Sequence, residues 1–388
     1  MSGPGVDGPE LVARARALTP LLAAHAREAE LARRPSDEVI EALRAARIFD
    51  LMVPECHGGL ELDLDTFLDV GLALGEGDAA MAWVSTFYIE HNWMFCQFPA
   101  AFQKELYAEA SHVLAPAAIS PGGTAQAVAG GYRLTGRYPW GTGIAHADWV
   151  IVSALTTERD GTGGVRFLAM PRADVTVEDV WFVDGMSGTG SNTIVVDDVV
   201  VPSERTVSIP DMVAGTAPGA LIHEGPLYRT PMLPILAVAA AMPAVGQARA
   251  AVRRFAGRMT ERVLLMTQAR QSDKPAAQAR LAAADIEVTQ AELLLRAVVD
   301  EVMARRDATT EAQRARLIAT VATAVDRAKH ALQSISAASG AGAHFLSDPL
   351  QRAVRDVQTL SCHTLFALDE RLEAYGRTLV GLDPGTPV

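Results

Sequence analysis

Two long helical stretches enclose one block of β-branched, glycine-punctuated sequence, and that order limits what this chain can fold into. From Glu10 to about Ala110 apolar residues recur at helical spacing, as in "LVARARALTPLLAAHAREAELARR". Ser36 ahead of Asp37 and Glu38 reads as a helix start. The stretch "DLDTFLDVGLALGEGDAAMAWVSTFYIEHNWMF" predicts two more helices broken at Gly75–Gly77. From about Val113 to Pro202 the pattern changes to short runs such as "DWVIVSAL", "VRFLAM" and "NTIVVDDVVVP", bounded by Gly, Pro and Asp. Those runs predict an antiparallel β domain. A Gly/Pro-rich connector over 203–231 follows. Then Ala/Leu/Arg patterns predict four antiparallel helices at about 233–271, 275–305, 309–338 and 349–377. The expected division is an N-terminal helical domain over 8–112, a β domain over 113–220 and a C-terminal four-helix bundle over 221–388. The fold class is mainly α with a central β domain.

The 388 residues are 49% hydrophobic and 21% charged, enough to bury a large core. A net charge of −12 argues against a general nucleic-acid binder, whose footprint is a basic excess. Cys56, Cys96 and Cys362 lie far apart with no CxxC spacing, so no disulfide framework or zinc knuckle is expected. The start "MSGPGVDGPE" lacks the charged-then-apolar pattern of a targeting segment, and no apolar run reaches the roughly 18–20 residues of a bilayer span. A cytoplasmic protein is expected. The nine histidines show no HExxH-type spacing, so no metal is expected. "GGTAQAVAGG" and "GTGS" neither follow a strand nor open a helix, and are not dinucleotide fingerprints. Taken alone, Gly/Ser/Thr clusters between strands read as turns, and Trp140 as a core residue.

Three segments carry a more specific signal: "GMSGTGSNTIVVDDVVVP" (185–202), "YPWGTGIAHADWVIV" (138–152) and "SDPLQRAVRDVQ" (347–358). In this order and these zones the chain resembles the acyl-CoA dehydrogenase fold over nearly its whole length. The resemblance implies a helical domain, an antiparallel β-barrel-like domain, a four-helix bundle and a flavin. In that reading Trp140 supplies an apolar wall, Thr142 and Gly143 a hydroxyl and close backbone approach, and Gly188, Thr189 and Ser191 further donors. Arg262 stands where the family has an arginine reaching a neighbouring subunit's flavin. The buried helix faces imply a homotetramer, a dimer of dimers.

The chain departs from the dehydrogenases where their catalytic glutamate lies. Nine residues past Arg355 stands Thr364, with His363 beside it. The last segment instead resembles the flavin-dependent, two-component monooxygenases, among them the 4-hydroxyphenylacetate and secosteroid hydroxylases. The matching residues are Pro349, Leu350, Gln351, Arg352, Arg355, Asp356, His363, Asp369, Tyr375, Gly376 and Arg377. "YIEHNWMFCQFP" (88–99) supplies a second family histidine, His91.

The resemblance implies an oxygenase component. It would take reduced flavin (FMNH2 or FADH2) from a separate NAD(P)H:flavin reductase, react with O2 through a C4a-hydroperoxyflavin, and hydroxylate a small phenolic or polyketide-like aromatic in secondary metabolism. His363, placed on the last helix with a pKa near neutrality, would act as base toward the substrate or as a hydrogen bond on the peroxide side. His91 would form the second wall and Thr142 the flavin-side donor. N-oxygenation of an amine by the same intermediate, an acyl-CoA dehydrogenase with a displaced base, and a catalytically inactive scaffold are the competing readings. The connector 203–231 would be a substrate-side lid.

Overall fold

A computed structural model describes residues 6–388. The first five residues, part of the start read above for targeting signals, lie outside the described residues. Helices α1 (Gly8–Ala32), α2 (Asp37–Ala45), α3 (Leu64–Gly77), α4 (Ala79–Phe95) and α5 (Ala100–Leu106) come first. Strands β1 (Ala117–Val128), β2 (Gly131–Gly141), β3 (Trp149–Thr157), β4 (Gly163–Pro171), β5 (Thr176–Glu178), β6 (Asn192–Pro202) and β7 (Thr206–Ser208) follow. After a short α6 (Ile209–Val213) come α7 (Met232–Glu261), α8 (Pro275–Arg305), α9 (Glu311–Ala338), α10 (Pro349–Leu360) and α11 (Leu368–Leu379).

The strands form one seven-stranded sheet in the order β5-β6-β2-β1-β3-β4-β7. It departs from the expected all-antiparallel domain at one pair. β2 and β3 flank β1 on either side, so β3 runs parallel to β1. The β1–β3 register shifts between Ala118 and Gly123. A bulge of this kind bends a strand and re-aims its side chains, and here it carries the 117–120 segment to the cavity described below.

The two helical zones, separated by the sheet in sequence, share one apolar core. Their tightest crossing is α3 on α7. Gly75 and Gly77 do not break the helix as expected; α3 runs through both and stops at Asp78, whose side chain accepts from the Met81 N–H and caps α4. The glycines serve proximity instead. A Cβ on Gly246 would lie 2.4 Å from the Leu72 carbonyl oxygen, and one on Gly71 would lie 2.4 Å from Met242 Sδ. Helix α7 is long and apolar enough to span a bilayer by length and composition, although its apolar residues lie apart in shorter runs. Most of it is buried inside the protein, as in the core helix of a globular fold.

Two predicted helices are shorter than expected. α7 ends at Glu261, and the chain turns back through a small ladder between Val263 and Arg270. The final helix divides into α10 and α11, and the seven residues between them hold His363. Ser361 caps α10, and His363 then caps a short turn over Thr364–Phe366. The histidine predicted to lie on a helix therefore sits in a break.

The connector 203–231 is tied to the N-terminal helices by buried hydrogen bonds. Trp93 Nε1 donates to the Leu227 carbonyl (3.0 Å), Tyr228 Oη to the Met52 carbonyl (3.1 Å), and His223 Nε2 lies 2.8 Å from Gln103 Oε1. None of its residues lines the cavity.

Candidate active site

A cavity of about 380 Å³ opens where α4, the break between α10 and α11, β1 and the 186–191 loop meet. Its helix-side wall begins on α4. Trp83, Phe87 and His91 are four residues apart, so a 3.6-residue repeat stacks them on one helix face. The Trp83 and Phe87 rings meet edge-on with centroids 4.8 Å apart, and Phe87 and His91 are 5.4 Å apart. His363 continues the row from the other end, 5.7 Å from Trp83. Two imidazoles thus terminate a row of two aromatic rings.

The two imidazoles are held in opposite tautomers. His91 Nδ1 lies 2.6 Å from the Ala115 carbonyl oxygen. A carbonyl only accepts, so Nδ1 carries the proton and Nε2 keeps its lone pair. At His363 the Leu365 N–H donates to Nδ1 at 3.3 Å. Nδ1 is therefore the bare nitrogen, and the neutral ring carries its proton on Nε2. Burial pushes both imidazoles down to about 4, with the Arg371 cation adding to the effect at His363. Both rings are neutral at pH 7. The expectation of a near-neutral pKa at His363 is corrected, because a pocket walled by Trp83 and Phe366 solvates imidazolium poorly.

Behind His91 stands Glu90, fully buried, with neither carboxyl oxygen hydrogen-bonded. Its Oε2 is 3.4 Å from His91 Nε2. Burial pushes this carboxyl up to about 8, so it is a neutral acid at pH 7.

The opposite wall comes from the sheet. Thr142 Oγ1 and Ser191 Oγ are 3.0 Å apart, Ser191 Oγ and Thr189 Oγ1 2.7 Å, and Thr189 Oγ1 donates to the Met186 carbonyl at 2.8 Å. This ladder of hydroxyls lines the cavity beside Trp140 and Trp181. Trp140 is 64% exposed at the rim, on a backbone with φ +64°. A bulky residue held in that region marks a constrained position.

The 186–191 loop is anchored from α10. Met186, itself at φ +59°, donates its N–H to Asp356 Oδ1 at 2.6 Å. Its carbonyl accepts from Trp181 Nε1 at 3.1 Å. Arg355 reaches the Asp184 carbonyl and pairs with Glu30 at 2.5 Å. A Cβ on Gly185 would fall 2.2 Å from the Arg355 carbonyl oxygen. The Arg-Asp pair of the last segment therefore braces the loop that carries Thr189 and Ser191.

The structure brings His363, His91, Thr142, Trp140, Thr189 and Ser191 to one cavity. Gly143, Gly188 and Arg262 lie off it. Gly143 is at φ +72°, where an added Cβ would meet Tyr88 Oη at 2.4 Å, so packing on α4 explains the glycine. Gly188 packs on Ala29 and Ala80. Arg262 Nη1 spans Gln271 Oε1 (3.3 Å) and the Ala338 carbonyl (3.2 Å) at the far end of α7. Sequence reasoning missed Trp83, Phe87, Trp181, Leu236 and Thr359 as cavity residues, and Glu90 behind it. Only the four-residue spacing of Trp83, Phe87 and His91 offered a signal.

These residues fit an isoalloxazine ring. The apolar rings supply its walls, and the hydroxyl ladder supplies an acceptor oxygen for its heteroatom edge, in a cavity of ligand size.

Known proteins resemble this chain in sequence and in fold. Residues 238–367 match the family described as "Acyl-CoA dehydrogenase, C-terminal domain". The chain is 36% identical over 380 residues to a pigment production hydroxylase of Rhodococcus sp. (strain ATCC 21145), covering 98% of each chain. It is 31% identical to the oxygenase component of an FADH(2)-dependent resorcinol hydroxylase of Rhizobium sp. (strain MTP-10005), covering 96% of this chain and 95% of that one. The solved structure of XiaF from Streptomyces sp., in complex with FADH2 and glycerol, superimposes with a TM-score of 0.92 at 30% identity, covering 98% of this chain and 97% of that one.

Proposed function

Since the chain belongs to the oxygenase components of the two-component, flavin-dependent monooxygenases built on the acyl-CoA dehydrogenase fold, we propose that its cavity hydroxylates a small phenolic aromatic with His91 and His363 dividing the polar work. The carrying observation is the pair of opposite tautomers at the two ends of one aromatic row. Reduced flavin, when bound, supplies two electrons and the place where O2 is activated, so that one oxygen atom enters the arene and the other leaves as water.

The protein's own groups do the rest. His91 Nε2, 3.4 Å from the Glu90 carboxyl but hydrogen-bonded to neither of its oxygens, accepts the phenol O–H and draws electron density onto the ring to be attacked. His363 Nε2–H donates to an oxygen in the cavity. Of the two roles expected for His363 from sequence, base or hydrogen-bond donor, this is the second. It follows from Leu365, whose N–H occupies the nitrogen that a base would need. Thr142, whose O–H is committed through Ser191 and Thr189 to the Met186 carbonyl, presents an acceptor oxygen at the flavin edge rather than the donor expected from sequence. Trp83, Phe87 and Leu236 keep water out, which limits the proton transfers that would release the activated oxygen as hydrogen peroxide.

The dehydrogenase reading needs a carboxylate facing the substrate. Among the described residues no Asp or Glu lines the cavity, and Glu90 sits behind His91 in its neutral form. We place the enzyme in the cytoplasm beside a separate reductase. We assign it a homotetramer, supported by exposed apolar side chains such as Leu265 and Met266 at the α7–α8 turn. The test is a single turnover with photoreduced flavin, a phenol panel and isotopically labelled dioxygen. Label in a hydroxylated product supports the reading, and flavin reoxidation without product across the panel contradicts it.

A further inference from the structure

The site's polar inventory says more about the substrate than that it is aromatic. Among the described residues every side chain lining the cavity is uncharged. The arginines on α10 and α11 that bear on the cavity wall are already engaged. Arg371 spends Nε and Nη2 on the Thr364 carbonyl (3.2 and 2.9 Å) and Nη1 on the Pro387 carbonyl (3.3 Å). Arg355 pairs with Glu30, and Arg352 faces Asp78 at 3.5 Å. The two imidazoles are held neutral by their surroundings. An anionic substituent brought into this cavity would lose its hydration and find no cation in the lining to pair with, a heavy cost for a buried charge. Arg371, held on backbone carbonyls, acts on the cavity only as a field at His363.

We infer that the cavity selects an uncharged hydroxyarene and rejects arylacetates and other aromatic acids. The inference rests on the hydroxylase reading of the site and narrows it. It also matches the two tautomers. The substrate offers a hydroxyl hydrogen to His91 Nε2 and an oxygen lone pair to His363 Nε2–H, as a phenol with a second neutral oxygen substituent does. No group in it calls for a salt bridge.

Charge is separated from shape by paired probes. Binding of 4-hydroxyphenylacetamide and 4-hydroxyphenylacetate, and of indole-3-acetamide and indole-3-acetate, is titrated anaerobically onto the full-length protein loaded with reduced flavin, with resorcinol and 2-naphthol alongside. The expected result is that each amide binds at least about tenfold more tightly than its acid, a gap of about 1.4 kcal/mol. Ser120, exposed at the cavity edge, is the position for a charge-adding variant. Ser120→Arg is expected to narrow that gap by adding a cation at the rim, read as the ratio of acid to amide affinity. An acid that binds as well as its amide overturns the inference, as does failure of every neutral probe to bind. Protection of the oxygen-activated flavin is measured without any aromatic, so failure of the hydroxylase reading shows up separately there.

Discussion

The imidazole of His363 meets the indole of Trp83 edge-on, centroids 5.7 Å apart and planes at 72°, although the two residues are 280 positions apart in sequence. That contact closes the cavity between the first helical zone and the last. It also keeps His363 in the break between α10 and α11, where the Leu365 N–H can reach its Nδ1.

The division of labour between the imidazoles predicts unequal mutants. His91→Ala removes the acceptor for the phenol proton and is expected to lower the hydroxylation rate by about 10²-fold or more. Replacing His363 with Gln keeps an N–H donor and is expected to retain more activity than His363→Ala. Rapid-quench single turnovers on the variants check this ordering. Equal losses in His363→Gln and His363→Ala would contradict the donor role.

The hydroxyl chain donates from Thr142 through Ser191 and Thr189 to the Met186 carbonyl, and leaves Thr142 an acceptor oxygen at its open end. Thr142→Val keeps shape and removes the hydroxyl. Flavin reoxidation without product is expected to rise by roughly tenfold, read as peroxide released per flavin, because a lost preorganised hydrogen-bond partner costs at least that much. Thr142→Ser should restore the coupling.

Stability should fall at both ends of the pH range. His91, His223 and His363 are each held at about 4 by burial, against 6.5 when exposed. The unfolded chain binds these protons first, so the contribution present above 6.5 is lost as pH falls toward 4. Glu90 acts in the opposite sense. Its carboxyl is raised to about 8, so the folded state holds a proton that the unfolded state releases near 4.5, and stability is lost as pH rises through 8. Glu90→Gln is therefore expected to raise Tm at about pH 8.5 and to change it little at about pH 5. A uniform shift across pH would argue that Glu90 does not titrate as described.

The α3–α7 crossing leaves no room at Gly246. Gly246→Ala would drive its Cβ into the Leu72 carbonyl and the Gly75 backbone. The expected loss is about 1–3 kcal/mol, read by urea unfolding. Gly257 on the same helix has open space, so Gly257→Ala should be neutral or stabilising by about 0.5–1 kcal/mol.

Much of the architecture was legible because periodicity is local. The alternation of helical and β-branched zones, and the starts of α8 and α9, are written in neighbouring residues. The interruption at His363 was not legible, because an apolar run such as "TLSCHTLF" suits a helix until Arg371 and Leu365 bind its backbone and its imidazole. Gly75 misled for a related reason. A glycine that permits a crossing 170 residues away looks the same in sequence as one that ends a helix. Thr142, Thr189 and Ser191 were found through a motif, whereas Trp83 and Phe87 needed the helix face they share with His91. The tautomers of the two histidines depend on carbonyl and amide groups of Ala115 and Leu365, which no side-chain pattern encodes.

The central claim is that this cavity protects oxygen activated on a reduced flavin. The most direct measurement mixes the protein anaerobically with photoreduced FMN or FAD and follows an oxygen pulse by stopped-flow absorbance. A transient unlike either reduced or oxidised flavin, persisting for seconds and shortened in Thr142→Val, is the predicted result. Immediate return to oxidised flavin at the rate seen free in solution would contradict it.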